Sequence, residues 1–324
     1  MRILIVGGAG YIGSHMVKYA QDLDHEVTVL DDFSTGNKWA VRDCEVIEVD
    51  LLDRQGLLGQ LSKKDFDGVF HFAAKSLVGE SMDNPFKYYI NNISGTLNLL
   101  DFIITSGIQD FVFSSTAAIF GSPNKKKIDE KHLKNPLNTY GRSKLMIENI
   151  LEDVCAKHSI NATALRYFNA AGSHPEYNIG EYRVPETHLI PNVLTSIKSN
   201  EPIYIFGDNY ETHDGTCIRD YVHVMDLAEA HMLALLDEKN KGFSAYNLGN
   251  GTGFSVKEII MSCEMISGQP AKVHISDSRP GDPSVLVADS SLAKKILGWN
   301  PKYTTIDEII KTAWDWHKNP LPTE

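Results

Sequence analysis

The chain is poor in cysteine. Its four, Cys44, Cys155, Cys217 and Cys263, are widely spaced and form no Cys-x-x-Cys pair. That argues against a disulfide framework and a cysteine metal cluster, and reads as free thiols in a reducing cytoplasm. The 12 histidines make no His-x-His or His-Glu-x-x-His pattern, so no metal site is expected. His213 and Asp214, near Glu211, read as a polar loop. No run of about 18 apolar residues exists, so no membrane span is expected. Met1-Arg2 leads directly into Ile3-Leu4-Ile5-Val6, too short an apolar stretch for a signal-peptide core. Positive charge is in deficit: 31 Lys and Arg against 42 Asp and Glu leave −11, which argues against nucleic acid as a partner. An acidic protein that holds an anionic ligand must use local donors, such as helix N-termini and a few placed Lys or Arg. Lys125-Lys126-Lys127 reads as a solvated loop, since Asp129 and Glu130 follow at once. There is no internal repeat and no low-complexity segment.

What is present is an ordinary globular composition, 42% hydrophobic and 23% charged, in a chain long enough to bury a core in two lobes. Short β-rich runs alternate with helical patterns through the first half. Strands are expected at Arg2–Val6, Glu26–Leu30, Glu45–Val49, Gly68–Phe72, Phe111–Ser115 and Ala162–Tyr167. Ile93, Leu97, Leu100 and Ile104 share one helix face, opened by Pro85 and closed by Gly107. Ile147, Ile150, Leu151 and Val154 share another after Tyr140. This alternation predicts an α/β fold: a Rossmann-type, doubly wound parallel sheet with helices on both faces. The alternation fades after residue 168, with further strands expected at Ile203–Phe206 and Val273–Ile275. A cofactor unit over residues 1–168, rejoined by about 222–246, and a smaller mixed α/β substrate unit over 169–324 are the expected organisation.

Gly7, Gly10 and Gly13 follow the first strand and open a helix. Small residues there let the backbone turn sharply and approach a pyrophosphate, while the helix N-terminus supplies N–H donors and a favourable dipole. The spacing is G-x-x-G-x-x-G, not the commoner G-x-G-x-x-G, so it signals less by itself. Asp31 at the end of the second strand strengthens it. A carboxylate there accepts from ribose hydroxyls and repels a 2′-phosphate, and no Arg lies within Asp31–Gly36. NAD is expected in preference to NADP.

The second motif is Tyr140-Gly141-Arg142-Ser143-Lys144, a phenol and an ammonium at i and i+4 on one helix face. Tyr-x-x-x-Lys occurs by chance on many helices. Here it opens the helix after a strand ending Ser114-Ser115-Thr116, where such sheets bind ligands. A free tyrosine, of pKa about 10, is a poor base. A neighbouring ammonium and a positive nicotinamide are expected to bring it toward the useful range, so that it takes a substrate hydroxyl proton. Thr116 can hydrogen-bond the same oxygen.

At this point the sequence resembles the UDP-glucose 4-epimerase family of extended short-chain dehydrogenase/reductases, over nearly its whole length, from Gly7 to about Trp316. The segments that carry the resemblance are Gly7–His15, His71–Ser81, Phe113–Gly121, Tyr140–Lys144, Arg166–Gly172 and Ile205–Asp226. The resemblance implies NAD contacts at Tyr11, Ile12, Asp31, Asp32, Phe33, Ser34, Thr35 and Gly36, and at Asp50-Leu51 beside the adenine. It places Phe72, Ala73, Ala74, Lys75, Asn92 and Phe168 on the path to the nicotinamide. It assigns Asn169, Leu189, Phe206, Arg219, Arg279 and Asp282 to the nucleotide diphosphate of a UDP-sugar. It also implies catalysis by Tyr140, Lys144 and Thr116, and a homodimer packed through the Ile93–Ile104 helix and the helix after Tyr140. Asn169 as a buried cap and either arginine as a surface ion pair are the plainer alternatives.

Three positions depart from the family pattern. Thr116 replaces the usual serine and keeps its hydroxyl. Ile119-Phe120-Gly121 replaces Val-Tyr-Gly. Leu286 stands where side-chain size governs access of N-acetylated sugars, and it is intermediate. The chemical rivals are another NAD-dependent nucleotide-sugar epimerase or a 4,6-dehydratase or decarboxylase, which need acidic residues after the threonine. Ala117-Ala118 stand there and cannot transfer protons. A non-catalytic NAD-sensing regulator on the same fold typically lacks the Tyr or the Lys, and both are present.

Overall fold

The computed structural model describes residues 1–123, 125–279 and 282–320. Six parallel strands come first: β1 (Arg2–Val6), β2 (Glu26–Asp31), β3 (Glu45–Glu48), β4 (Gly68–His71), β5 (Asp110–Thr116) and β6 (Asn161–Tyr167). They form a seven-stranded sheet with the late strand Phe243–Leu248, in the order Phe243–Leu248, β6, β5, β4, β1, β2, β3. Every pairing in it is parallel. The six early strands lie within one residue of their expected bounds at each end. This is the doubly wound α/β arrangement that the alternating pattern predicts.

The reason lies in β1. Its residues Ile3, Leu4, Ile5 and Val6 are all fully buried, as a central parallel strand covered on both faces requires. Ile3 and Ile5 point into one core with Val27, Val29, Met16 and Ala20. Leu4 and Val6 point into the other with Leu30, Val69, Phe111, Phe113, Leu99 and Leu151. A third core joins the helices Leu189–Ser199, Val256–Ser267 and Ile306–Lys318, through residues such as Leu194, Ile259 and Ile310. Beside it, Pro202–Phe206 pairs in parallel with Lys272–Ser276.

One helical face differs from its expected burial. The segment from Pro85 runs as a short α-helix to Tyr88, a π-helical stretch over Tyr89–Ser94, and an α-helix over Gly95–Ser106 capped by left-handed Gly107. Leu100 is buried, but Leu97 is 46% exposed. The face turned to the core is Thr96, Leu99, Leu100 and Ile103. The expected stripe lies beside this one, because the helix is apolar around more of its circumference than the core covers. In the helix Thr139–Lys157, Ile147 and Leu151 are buried while Ile150 and Val154 are only partly so.

Candidate active site

The carboxyl ends of the sheet strands open into one cleft of about 1420 Å³. Of the expected cofactor residues, Gly7, Gly10, Tyr11, Ile12, Gly13, Asp31, Asp32, Ser34, Thr35, Gly36, Asp50, Leu51, Phe72, Ala73, Ala74, Lys75 and Phe168 line it. So do Thr116, Tyr140 and Lys144, and the expected substrate residues Asn169, Leu189, Phe206, Arg219, Arg279, Asp282 and Leu286.

Two expected residues do not. Phe33, at φ +54°, turns its ring under the Lys38 ammonium at 4.7 Å and against the first core. Asn92 is buried in the π-helical stretch behind the wall. It accepts from the Lys75 N–H at 2.9 Å and donates to the Lys75 carbonyl at 3.1 Å and to Ser143 Oγ at 3.0 Å. Asn92 therefore fixes Lys75 and ties it to the Tyr140 helix.

The turn after β1 fits a dinucleotide on steric grounds. Gly7 has φ +78°, and a Cβ on it would lie 2.4 Å from the Ala73 nitrogen. A Cβ on Gly13 would lie 2.1 Å from the Gly7 carbonyl oxygen. Both glycines let helix, turn and neighbouring strand pack at contact. Gly10 begins the helix Tyr11–Asp22, and no side chain among the described residues caps its first-turn N–H groups. An anionic pyrophosphate satisfies them and the helix dipole together. Asp31 is held upright beside the turn, its Oδ2 accepting from the Ala9 N–H and its Oδ1 from the Phe33 N–H, both at 2.9 Å. Burial raises its pKa and those two donors oppose the rise. Lys75 reaches across to Ser34 Oγ at 2.7 Å.

Tyr140, Lys144 and Thr116 meet midway along the cleft. Asn138 caps the helix of Tyr140 and Lys144, its side chain accepting from the Gly141 N–H at 2.8 Å, so Tyr140 sits in the first turn. Lys144 is buried. Its Nζ donates to the Ser114 carbonyl at 2.7 Å and lies 4.6 Å above the Phe113 ring and 6.0 Å from the Tyr140 ring. Burial pulls the Lys144 pKa down to about 7, with Glu148 opposing. Burial pushes the Tyr140 phenol up, and hydrogen bonding to Thr116 and the charge of Arg183 work against that rise. The phenol of the protein alone thus sits above its ordinary value, opposite to the direction expected from Tyr-x-x-x-Lys. The Thr116 hydroxyl already accepts from the Ala118 N–H at 3.1 Å, so its own proton is directed outward as a donor.

Behind the pair lies a network that pattern reading missed. Glu148, one more turn along from Lys144, binds Arg166 through two bonds, Nε to Oε1 at 2.9 Å and a terminal nitrogen to Oε2 at 2.6 Å. Ser115 Oγ donates to the same carboxylate at 2.6 Å. All three are buried. The available signal was the i, i+4, i+8 series Tyr140, Lys144, Glu148 on one face. At the far end of the cleft, Arg219 is ion-paired to Asp282, and the Arg279 guanidinium stacks on Phe206 at 3.9 Å. Asn169 donates to the Asp220 carbonyl at 2.8 Å while keeping a place on the wall.

Comparison with known proteins matches residues 3–249 to the NAD dependent epimerase/dehydratase family. A UDP-glucose 4-epimerase of Halalkalibacterium halodurans is 46% identical over 98% of this chain and 96% of its own length. The structure of the Brucella ovis UDP-glucose 4-epimerase in complex with NAD superposes with a TM-score of 0.94 at 42% identity, covering 97% of each chain. That of the UDP-Glc/GlcNAc 4-epimerase of Campylobacter jejuni gives 0.85 at 43% identity over 98% of this chain and 99% of its own. The chain belongs to the NAD dependent epimerase/dehydratase family, among its UDP-glucose 4-epimerases.

Proposed function

We propose that the protein interconverts UDP-galactose and UDP-glucose by transient oxidation at C4 of the hexose, with NAD held throughout. The reading rests on one continuous cleft that joins a glycine turn and a carboxylate at one end to two arginines at the other, with a phenol and an ammonium between them. Gly7–Gly13 and Asp31 would hold NAD, which when bound would supply a reversible hydride acceptor beside Tyr140.

Tyr140 takes the 4-hydroxyl proton while Thr116 donates to the same oxygen, and Lys144 stabilises the phenolate. Arg219 and Arg279 hold the diphosphate, since their planar forks bind its oxygens bidentately. The hexose is held less firmly, so the 4-keto sugar can turn about its link to the diphosphate and present its other face. Tyr140 then gives its proton back, with the configuration at C4 inverted. Ala117 and Ala118 line the same stretch of wall and carry only methyl groups, so the acid and base of a dehydratase are missing there.

Leu286 lines the sugar end, half-buried against Ala117, Ile119 and Phe120. It leaves more room than a tyrosine does, so the N-acetylhexosamine pair is included in the proposal. Purified protein mixed with UDP-galactose and no added NAD is expected to form UDP-glucose without releasing NADH. The N-acetyl analogue is expected to react as well. No product from UDP-galactose rejects the reading, and product from it with none from the analogue rejects only the wider substrate range.

The division into a cofactor unit (1–168 with about 222–246) and a substrate unit (169–324) is part of the same proposal, supported by the strand Phe243–Leu248 pairing with β6. No helix among the described residues is long and apolar enough to cross a membrane. A cytoplasmic setting suits the four free cysteines. A homodimer is proposed on the outer face of the Pro85–Ser106 segment. Phe86, Ile90 and Leu97 are exposed there at helical spacing, and Met146 is exposed on the helix Thr139–Lys157. Phe86→Glu is expected to turn a dimer into a monomer in size-exclusion chromatography with light scattering. A monomeric wild type at micromolar concentration contradicts it.

A further inference from the structure

We propose that Glu148 is a positioning residue for the reaction centre: its carboxylate locks the end of β5 to the helix Thr139–Lys157, so that Thr116, Tyr140 and Lys144 keep one arrangement. The proposal rests on the epimerase reading for its catalytic consequence, and on hydrogen bonds and packing for the lock itself.

The helix grips the strand end at consecutive residues. Lys144 Nζ donates to the Ser114 carbonyl at 2.7 Å, and Glu148 Oε1, one turn further along, accepts from Ser115 Oγ at 2.6 Å. Thr116 is the next residue and ends the strand. Side chains alternate across a strand, so Ser115 turns toward the helix while Ser114 and Thr116 turn the other way. Ser114 and Thr116 accordingly line the cleft, and Ser115 is fully buried behind it. Arg166 lies directly opposite Ser115 in the register of β5 and β6. It closes the other side of the carboxylate, its Nε on Oε1 at 2.9 Å and a terminal nitrogen on Oε2 at 2.6 Å. Its other terminal nitrogen donates to the Glu130 carbonyl at 3.4 Å, and the guanidinium lies 5.6 Å from the Phe120 ring. Lys134 Nζ stands 3.8 Å from Oε2. One carboxylate thus ties a helix and two strands together at the level of the catalytic residues. The helix is seated closely there: a Cβ on Gly141, beside Tyr140, would lie 2.5 Å from the Ala118 carbonyl oxygen.

Stability does not account for the ion pair. The side chains of Glu148 and Arg166 are 1% and 2% exposed, so both charges have left water. The cost of that transfer offsets most of their attraction, and well-packed apolar residues of similar volume often serve a fold as well or better. What the pair demands, and an apolar contact does not, is direction. Two carboxylate oxygens met by three aligned donors allow one setting of the helix along the strand. That setting matters because a misplacement of about 1 Å at reacting groups can cost on the order of 10²-fold in rate, even when its origin is remote. Glu148 itself does not line the cleft, so it acts through Ser115 and through the helix that carries Tyr140 and Lys144.

Two variants of the NAD-loaded protein separate alignment from stability. Ser115→Ala removes the link to the strand and leaves the ion pair whole. Glu148→Met combined with Arg166→Met removes the pair together, so that neither charge is left buried alone. In Ser115→Ala the kcat for UDP-galactose is expected to fall on the order of tenfold, and in the double variant about 10²-fold, at unchanged KM and NAD content. The Tm of the double variant is expected to equal or exceed that of wild type. Amide hydrogen exchange is the readout that needs no turnover. At residues 115–118 and in the first two turns of the Tyr140 helix it is expected to quicken by about tenfold in both variants, with β1 unchanged. Wild-type kcat in either variant overturns the proposal, as does a change confined to KM or unmoved exchange. A double variant that loses activity only in step with its Tm or NAD content overturns it too, since the pair is then structural alone. If wild type turns over no UDP-sugar while exchange at residues 115–118 still quickens, the lock stands and the epimerase reading fails.

Discussion

Replacing Tyr140 with phenylalanine is expected to lower kcat for UDP-galactose by about 10²- to 10⁴-fold, the usual contribution of a positioned general acid–base group. The change removes one oxygen from a half-buried ring and leaves its packing, so NAD content and Tm should stay at wild-type values. The size of the loss follows from what remains. Thr116 still presents a donor to the 4-oxygen, and its own oxygen already accepts from the Ala118 N–H. An aliphatic hydroxyl is a far weaker acid than a phenol, so Thr116 cannot replace the phenolate as base. KM should change little, because Tyr140 is expected to meet the hexose and not the diphosphate. Single-turnover measurement of sugar oxidation with bound NAD isolates the step. Wild-type turnover in Tyr140→Phe would remove the proton-transfer role and leave only a fold and a cofactor site.

The fold was readable because it depends on local burial. Ile3-Leu4-Ile5-Val6 is apolar at every position, and only a strand covered on both faces needs that. The six early strand ends fell within a residue for the same reason. The helix Gly95–Ser106 was read too simply, because an apolar stripe shows that a face is apolar and not which neighbour covers it. Leu97 lies on such a face, outside both sheet cores.

The cleft was readable where residues act through their own backbone neighbourhood, as Gly7, Gly13 and Asp31 do. It was hidden where function depends on partners far away in sequence. Nothing near Arg166 in the chain points to Glu148. The clamp that Asn92, expected on the cofactor path, makes on Lys75 and Ser143 was not legible in the sequence. The environment of Tyr140 and Lys144 was hidden for a related reason. The motif shows that an ammonium lies one turn away, but only the packed structure shows that Lys144 is buried, that Tyr140 is half-buried, and that the ammonium donates to the Ser114 carbonyl.

That burial gives the second large effect. Lys144→Met is expected to lower kcat by about 10²-fold or more, because the phenolate loses its nearest cation. The same substitution is expected not to destabilise the fold. The Lys144 pKa is about 7 in the folded protein, lowered first by burial and held up in part by Glu148. In the unfolded chain it takes the ordinary lysine value of about 10.4. Between these two values the unfolded chain carries a proton that the folded protein does not, so the lysine's contribution to stability rises with pH across that window. Well below pH 7 both states are protonated, and the full cost of burying the ammonium is present. Methionine has no such cost and packs the same stem against Phe113, although it gives up the bond to the Ser114 carbonyl, worth about 1 kcal/mol. At equal NAD occupancy, the Tm of Lys144→Met should therefore equal or exceed that of wild type at pH 6.5, with the difference shrinking as pH rises toward about 10. A variant several degrees less stable than wild type at every pH would mean that Lys144 is held as a structural donor. Its charge would then not be what the fold sustains at a cost for the sake of Tyr140.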